Sequence, residues 1–334
     1  MTERRTALIA LVVTVLFWGL SFISTKVVLP VLPPMSLGAV RFALAILFLA
    51  IVKRRTAPEE KLALRDLPYL MGAGMVGVTA YFYFENTGIL YVSASEASII
   101  IAAIPVLTMI TERIVGRIAA RRHTAGENLV PRITLRRWAG AALSMVGVWL
   151  VAGATVAISG SATGYLYMFG AAASWVAYCF LTRPLFARRS RIYIVFWQSV
   201  FGFVGFLPFA FLEAPRWGTP NLAVAFHVVY LGVFCSALGY WFYARALQVL
   251  GVATATVFVN LIPVITVAAG FVFLGDRLTQ VQWAGAAAVL AGVYAATLEK
   301  RYHSTASEKP NAKSFPASPS PRLDSLSAAQ KKGE

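Results

Sequence analysis

Long apolar runs alternate along the chain with short stretches where arginine, lysine, proline and glycine collect. The runs predict helices at about residues 7–29, 35–52, 67–90, 95–112, 135–153, 163–183, 191–212, 222–246, 253–273 and 280–298. A helix crossing the ~30 Å hydrocarbon layer needs ~20 mostly apolar residues. Each run has about that length, so the expectation is an all-α integral membrane protein with ten transmembrane helices.

The charges give an independent reading. Before the first span and after each even-numbered one stand Arg4 and Arg5, then Lys53, Arg54, Arg55, Lys61 and Arg65. Arg113, Arg117, Arg121, Arg122, Arg132, Arg136 and Arg137 follow the fourth span, and Arg183, Arg188, Arg189 and Arg191 follow the sixth. Arg245 and the basic residues of the tail complete the set. The intervening loops carry almost none, Arg216 and Arg277 excepted. Cytoplasmic loops accumulate lysine and arginine, which predicts an even number of spans in the cell (inner) membrane with both termini cytoplasmic.

Composition agrees: 58% of residues are hydrophobic and 13% charged, against roughly 45–50% and about 25% in an ordinary soluble domain. The mean hydropathy is +0.69. A net charge of +16 would suit a nucleic-acid partner if it formed a stripe, but here it sits in particular loops and in the tail, so no nucleic acid is expected. Cys179 and Cys235 lie within apolar runs, where free cysteine behaves as a small hydrophobe. Arg4 and Arg5 ahead of an apolar stretch imitate a signal peptide, yet no small-residue cleavage pattern closes it, so the stretch reads as an uncleaved first span. From Glu299 onward Ser, Pro, Ala and Lys dominate, which predicts a disordered cytoplasmic tail over residues 299–334.

The chain repeats itself. Trp138-Ala139-Gly140-Ala141-Ala142, with Gly147-Val148-Trp149 beyond, returns as Trp283-Ala284-Gly285-Ala286-Ala287 with Gly292-Val293-Tyr294. Ile104-Pro105-Val106 and Thr108 match Ile262-Pro263-Val264 and Thr266, and Tyr81-Phe82-Tyr83-Phe84 match Tyr240-Trp241-Phe242-Tyr243. Trp18, Phe22, Thr25 and Lys26 fall opposite Trp175, Cys179, Thr182 and Arg183. Two five-helix repeats follow, residues 1–155 and 160–298. Because five is odd, the second must enter the membrane from the opposite side, giving inverted repeats around a central cavity, the architecture of many alternating-access transporters.

With these landmarks the chain resembles the EamA-type family of the drug/metabolite transporter superfamily. The resemblance rests on Trp18, Gly19, Phe22 and Lys26, and on Arg41 with Phe42. Ala94 through Pro105, Pro263 through Gly275-Asp276-Arg277-Leu278, and Trp283 with Gly285 extend it. It covers about residues 8–298. It implies a ten-helix inverted repeat around a central cavity, and export or uptake of small metabolites. There is one departure from the family pattern: an acid commonly follows the glycine ending the fourth and ninth spans. Asp276 fills that place in the second half, whereas Arg117 follows Gly116 in the first and Glu112 is the nearby acid.

Ionisable groups within spans are costly and mark cavities or partners. Arg41, ~9 Å into the second span at 1.5 Å per residue, either binds an anionic group or snorkels to the headgroups. Lys26 stands near the outer end of the first span and has the same two readings. Glu85 is a candidate for pairing with Lys26 or Arg41 and for carrying a coupling proton. Asn86 and Asn260 offer hydrogen bonds to a solute or to a neighbouring helix. Trp18, Tyr81, Trp175, Tyr178, Tyr240 and Trp241 are candidates to wall a substrate cavity, or to pack between helices. Pro105 and Pro263 are expected to kink the fourth and ninth spans and free carbonyls.

No phosphate-binding loop of the G-x-x-x-x-G-K-[ST] type occurs, so this chain is not expected to hydrolyse ATP itself. The expectation is a secondary active transporter and not an enzyme, a monomer or homodimer that moves small metabolites by alternating access without a cofactor. Its solutes are expected to be amino acids or related polar or amphipathic compounds, handled in the direction of export. The alternative is an integral membrane enzyme acting on a lipid or lipid-linked substrate. That class needs clustered acids or histidines, and His123, His227 and His303 lack metal-ligand spacing.

Overall fold

The structure, a computed structural model, describes residues 2–92, 97, 100–122, 134–152, 161–269, 272 and 279–297. The described residues belong to one compact unit, Met1–Glu299. A second unit, Lys300–Glu334, lies outside them, and with it the tail expected to be disordered. Asp276, Gly275 and the segment around Ala94 are also outside the described residues.

Among the described residues there is no strand. The helices are α1 (Glu3–Val28), α2 (Pro34–Thr56), α3 (Leu64–Gly88), α4 (Ile104–Arg122), α5 (Leu135–Val151), α6 (Ala162–Thr182, continued by a 3-10 turn to Ala187), α7 (Arg191–Glu213), α8 (Leu222–Leu250), α9 (Val252–Ala269) and α10 (Gln280–Thr297). Seven of them, α1, α2, α3, α6, α7, α8 and α9, are long and apolar enough to cross a membrane.

Local signals set the boundaries. Proline opens α2, where its missing N–H costs nothing. Ser161, Ser190 and Asn221 cap α6, α7 and α8 by accepting from the N–H of Gly164, Tyr193 and Val224. Lys53, Arg54 and Arg55 fill the last turn of α2 and complement its C-terminal partial charge. Gly251, at φ 83°, lets α8 turn into α9 through a single residue.

Two departures from the expected boundaries matter. Helix α4 runs to Arg122, so Arg113, Arg117, Arg121 and Arg122 stand on a helix and not in a loop. Arginine and alanine are good helix formers, and a helix need not stop where its apolar stretch does. The Glu112 carboxylate on that helix lies 3.9 Å from Arg183. The second departure is that the fourth and ninth segments carry turns just ahead of Pro105 and Pro263, as described below.

Large apolar side chains such as Leu166, Phe211 and Phe226 point outward from their helices. A protein in water rarely tolerates so much exposed apolar surface; hydrocarbon demands it. Inside, α5 pairs with α10 and α2 with α7; α1 packs on α8 and α9, and α6 on α3 and α4. Small residues bring α5 and α10 together. A Cβ on Gly147 would meet the Val289 backbone nitrogen at 2.6 Å, and one on Gly292 the Gly140 carbonyl oxygen at 2.6 Å. Membrane helices associate through such packing because lipid supplies no hydrophobic drive between them.

Candidate functional site

Breaks in regular helix shape the centre of the molecule. In α3, residues Met75–Ala80 form a π-helical stretch immediately before Tyr81; in α8, Tyr230–Leu238 do the same immediately before Gly239 and Tyr240. A π stretch departs from the α-helical bonding pattern and is frequent at functional sites. Two carbonyls within these stretches accept from aromatic side chains across the core: Gly77 O from the Tyr240 hydroxyl (3.1 Å) and Cys235 O from Trp18 Nε1 (3.0 Å).

The fourth and ninth segments break as well. Ala102 and Ala103 form a turn ahead of Ile104-Pro105, and Phe258–Asn260 a 3-10 turn ahead of Leu261-Ile262-Pro263. Proline has no N–H to give the carbonyl four residues back, and its ring crowds that carbonyl. Those carbonyls belong to Ile101 and Val259, and both residues line the cavity described next.

That cavity holds about 490 Å³ of atom-free space, counting its open mouth. Helix α1 contributes Trp18, Ser21 and Phe22, α2 contributes Arg41, and α3 contributes Tyr81, Phe82 and Glu85. Ile101 and Ile104 face it from the α4 region, Trp175 from α6, Tyr240 from α8, and Val259 with Ile262 from α9. Four pairs of wall residues come from matched positions of the two sequence repeats: Trp18 and Trp175, Tyr81 and Tyr240, Ile101 and Val259, Ile104 and Ile262. The aromatic rings are in mutual contact, Trp18 with Trp175 at 5.1 Å and Tyr81 with Trp175 at 5.0 Å between centroids. Beneath them Tyr243 packs against Trp18 and Trp175 at 5.2 Å each, and Tyr178 against Trp175 at 5.2 Å. Tyr178 and Tyr243 are fully buried and make a floor towards the C-terminal ends of α6 and α8.

Two charged groups interrupt this apolar lining. Arg41 is 3% exposed. Its Nε donates to Ser236 Oγ at 2.8 Å and its guanidinium lies 4.3 Å from the centre of the Phe82 ring. It therefore does not snorkel to the headgroups. Glu85 Oε1 accepts from the Tyr81 hydroxyl at 2.7 Å. Among the described residues neither has an ion-pair partner, so Arg41 does not bridge to Glu85 and most of its five N–H donors are uncommitted.

Of the eleven residues weighed from sequence as substrate-binding, Trp18, Arg41, Tyr81, Glu85, Trp175 and Tyr240 share this cavity. Tyr178 stands behind the wall, accepting from Gln198 Nε2. Asn86 is one residue past Glu85, a third of a turn round the helix, and its amide donates to the Pro34 carbonyl. Trp241 is likewise one residue past Tyr240 and stacks on Phe242. Asn260 donates to Ser144 Oγ at 2.8 Å, tying α9 to α5. Lys26 is exposed at the end of α1. Ser21 and Phe82 were not singled out as binding residues, although Ser21 follows from Trp18 by helical spacing. Ser236, which holds Arg41, carries no sequence signal.

Comparison with known proteins places these features in a family. The model of the EamA-like transporter family matches twice, over residues 5–124 and 162–298. An uncharacterized transporter of Archaeoglobus fulgidus is 29% identical over 86% of this chain and 96% of its own length. A probable terminal-alkyne amino-acid exporter of Streptantibioticus cattleyicolor is 29% identical over 85% and 91%. A probable amino-acid metabolite efflux pump of Salmonella typhimurium is 27% identical over 87% and 94%. One solved crystal structure, 18% identical, shares the fold with a TM-score of 0.69 over 90% of this chain and 99% of the other. On the extent of the family match, the chain belongs to the EamA-like transporter family.

Proposed function

We propose that this protein is a secondary active transporter of the inner cell membrane that exports small zwitterionic metabolites, amino acids or close relatives, by alternating access. The observation that carries the reading is the pair of opposite charges, Arg41 and Glu85, facing one cavity without neutralising each other. Unpaired charge in a low-dielectric interior is expensive, and a guest with one carboxylate and one ammonium group relieves both costs at once. The aromatic walls then accept its side chain. The relatives from Streptantibioticus cattleyicolor and Salmonella typhimurium, named as a probable terminal-alkyne amino-acid exporter and a probable amino-acid metabolite efflux pump, support the same solute class.

We read the architecture as ten transmembrane helices in two inverted repeats, residues 1–155 and 160–298, with both termini cytoplasmic. The pairing of helices supports this. Exchanging every helix for the one five places away carries α1·α8 onto α6·α3 and α1·α9 onto α6·α4, and maps α2·α7 and α5·α10 onto themselves. The doubled family match supports the same duplication. In this orientation the aromatic floor lies on the cytoplasmic side, so the described arrangement is the one closed to the cytoplasm. Glu85, with one oxygen held by Tyr81, is the group we assign to a coupling proton.

The test is counterflow in proteoliposomes loaded with a mixed metabolite extract, with and without a pH gradient, read by mass spectrometry. Exchange confined to amino-acid-like zwitterions is the expected result. No movement of any solute defeats the transport reading; movement of organic acids or lipids alone defeats the zwitterion reading.

A further inference from the structure

Helices α2 and α7 run against each other along their length, and each is closed at its N-terminus by a carboxylate belonging to the other's end. At one end Glu213, the last residue of α7, accepts through a single oxygen from the N–H of Met35 (3.0 Å), the N–H of Ser36 (2.8 Å) and the Ser36 hydroxyl (2.8 Å). At the other end Glu60, just past the C-terminus of α2, accepts from the N–H of Ser190 at 3.1 Å and from the Ser190 hydroxyl, and Ser190 is the N-cap of α7. The two ends thus repeat one device: a glutamate takes both the backbone N–H and the hydroxyl of a serine at the start of the opposing helix. The first N–H groups of a helix have no partner within it and carry partial positive charge, so a carboxylate there is doubly favoured, and charge-assisted hydrogen bonds are the strong ones.

Between the ends the contact is continuous. A Cβ on Gly38 would stand 2.6 Å from the Phe206 ring, Phe42 and Phe206 rings meet at 5.9 Å, and the Lys53 ammonium lies 6.0 Å from the Phe196 ring centre. The surfaces that meet at the cavity are held differently. Trp18 meets Trp175, and Trp175 meets Tyr240, edge to face; the Trp175 Nε1 bond to the Tyr243 hydroxyl is long, at 3.3 Å, and the bonds across the core, Tyr240 hydroxyl to Gly77 O and Trp18 Nε1 to Cys235 O, are neutral ones. Neutral bonds and edge-to-face rings part at less cost than a charge-assisted cap, and freeing Glu213 from Met35 and Ser36 would leave a buried carboxylate without its donors.

We propose that α2 and α7 form a fixed antiparallel strut, bolted at both membrane faces by Glu213 on Ser36 and Glu60 on Ser190, and that alternating access consists of the other helices moving against it. The strut rests on the alternating-access reading for its role, and its test separates the two. Full-length protein lacking Cys179 and Cys235 is given the pairs S36C with E213C and S190C with E60C, reconstituted, and assayed by counterflow with the mixed metabolite extract before and after oxidation. Cross-linking either end is expected to change the rate by no more than about twofold. An about tenfold loss on oxidation, restored by reductant, shows that the helices must part and overturns the strut.

Hydrogen exchange supplies a readout independent of flux and of the cysteine variants. The amides of Met35, Ser36 and Ser190 are expected to be among the slowest in the molecule, with and without the extract. E213Q should accelerate Met35 and Ser36 alone, and E60Q should accelerate Ser190 alone. Exchange at the rate of the residue 57–63 loop in the unsubstituted protein contradicts the strut. Absence of counterflow in the unsubstituted protein counts against the transport reading, and the exchange data then decide the strut alone.

Discussion

Arg41 is the residue on which the site turns, because two features fix it without neutralising it. Ser236 takes one N–H and Phe82 offers its ring face; both favour the planar guanidinium over an ammonium. Hydrogen bonds to a charged group are worth about 1.5–3 kcal/mol, so R41A is expected to lower transport efficiency about 10–100-fold. R41K keeps the charge but loses the fork and the stacking, and should recover only part of that loss. S236A removes the tether and should raise the apparent KM several-fold with little change in maximal rate. N260A offers the contrast: Asn260 ties α9 to α5 and does not line the cavity, so its removal should lower the unfolding temperature and leave KM alone. Initial rates over a range of solute concentrations, beside thermal unfolding in detergent, separate these outcomes. A KM shift in N260A equal to that in S236A would show that the site has been drawn in the wrong place.

At the scale of the element, function lives in broken helices and stability in glycine-paired ones. Pro263 withholds an N–H from the Val259 carbonyl, and the 3-10 turn there helps present Val259 and Ile262 to the cavity. P263A should let the helix close up, withdraw that wall and slow counterflow, with the unfolding temperature unchanged or raised. G147A acts in the opposite sense. Its new methyl group meets the Val289 nitrogen at 2.6 Å, so α5 and α10 must separate, at a cost of about 1–3 kcal/mol. The measured consequence is a lower unfolding temperature with the solute preference preserved. G251A is the control for backbone alone, since nothing lies within 4 Å and only its φ of 83° is disturbed; it should cost about 1–2 kcal/mol without parting any helices.

How far these features were legible depends on the scale of the force that makes them. Apolar run length follows from bilayer thickness, so the helices were visible in sequence. So was the likeness between Ile104-Pro105 and Ile262-Pro263. The π stretches were not, since Met75–Ala80 and Tyr230–Leu238 have ordinary apolar composition and the side chains that bond their carbonyls, Tyr240 and Trp18, lie far away along the chain. Site residues divide the same way. Trp18, Tyr81 and Glu85 could be named from mid-span position, but a shift of one residue turns a side chain a third of a turn, which is why Asn86 and Trp241 face elsewhere. Glu60 and Glu213 carry no sequence signal, because the serine each one holds lies far along the chain.

For the molecule as a whole, the claim is that one cavity, walled by matched residues of two repeats, is offered first to one side of the membrane and then to the other. Ser21 is suited to report it, because it lines the cavity without holding either charged group. In protein lacking Cys179 and Cys235, S21C is reconstituted with known sidedness and exposed to a membrane-impermeant thiol reagent from each face in turn. The account predicts labelling from the external face in the arrangement described here. It also predicts labelling from the cytoplasmic face in a second population whose share changes when an amino-acid solute is supplied on one side only. Labelling from a single face whatever the solute, or from neither, would contradict it.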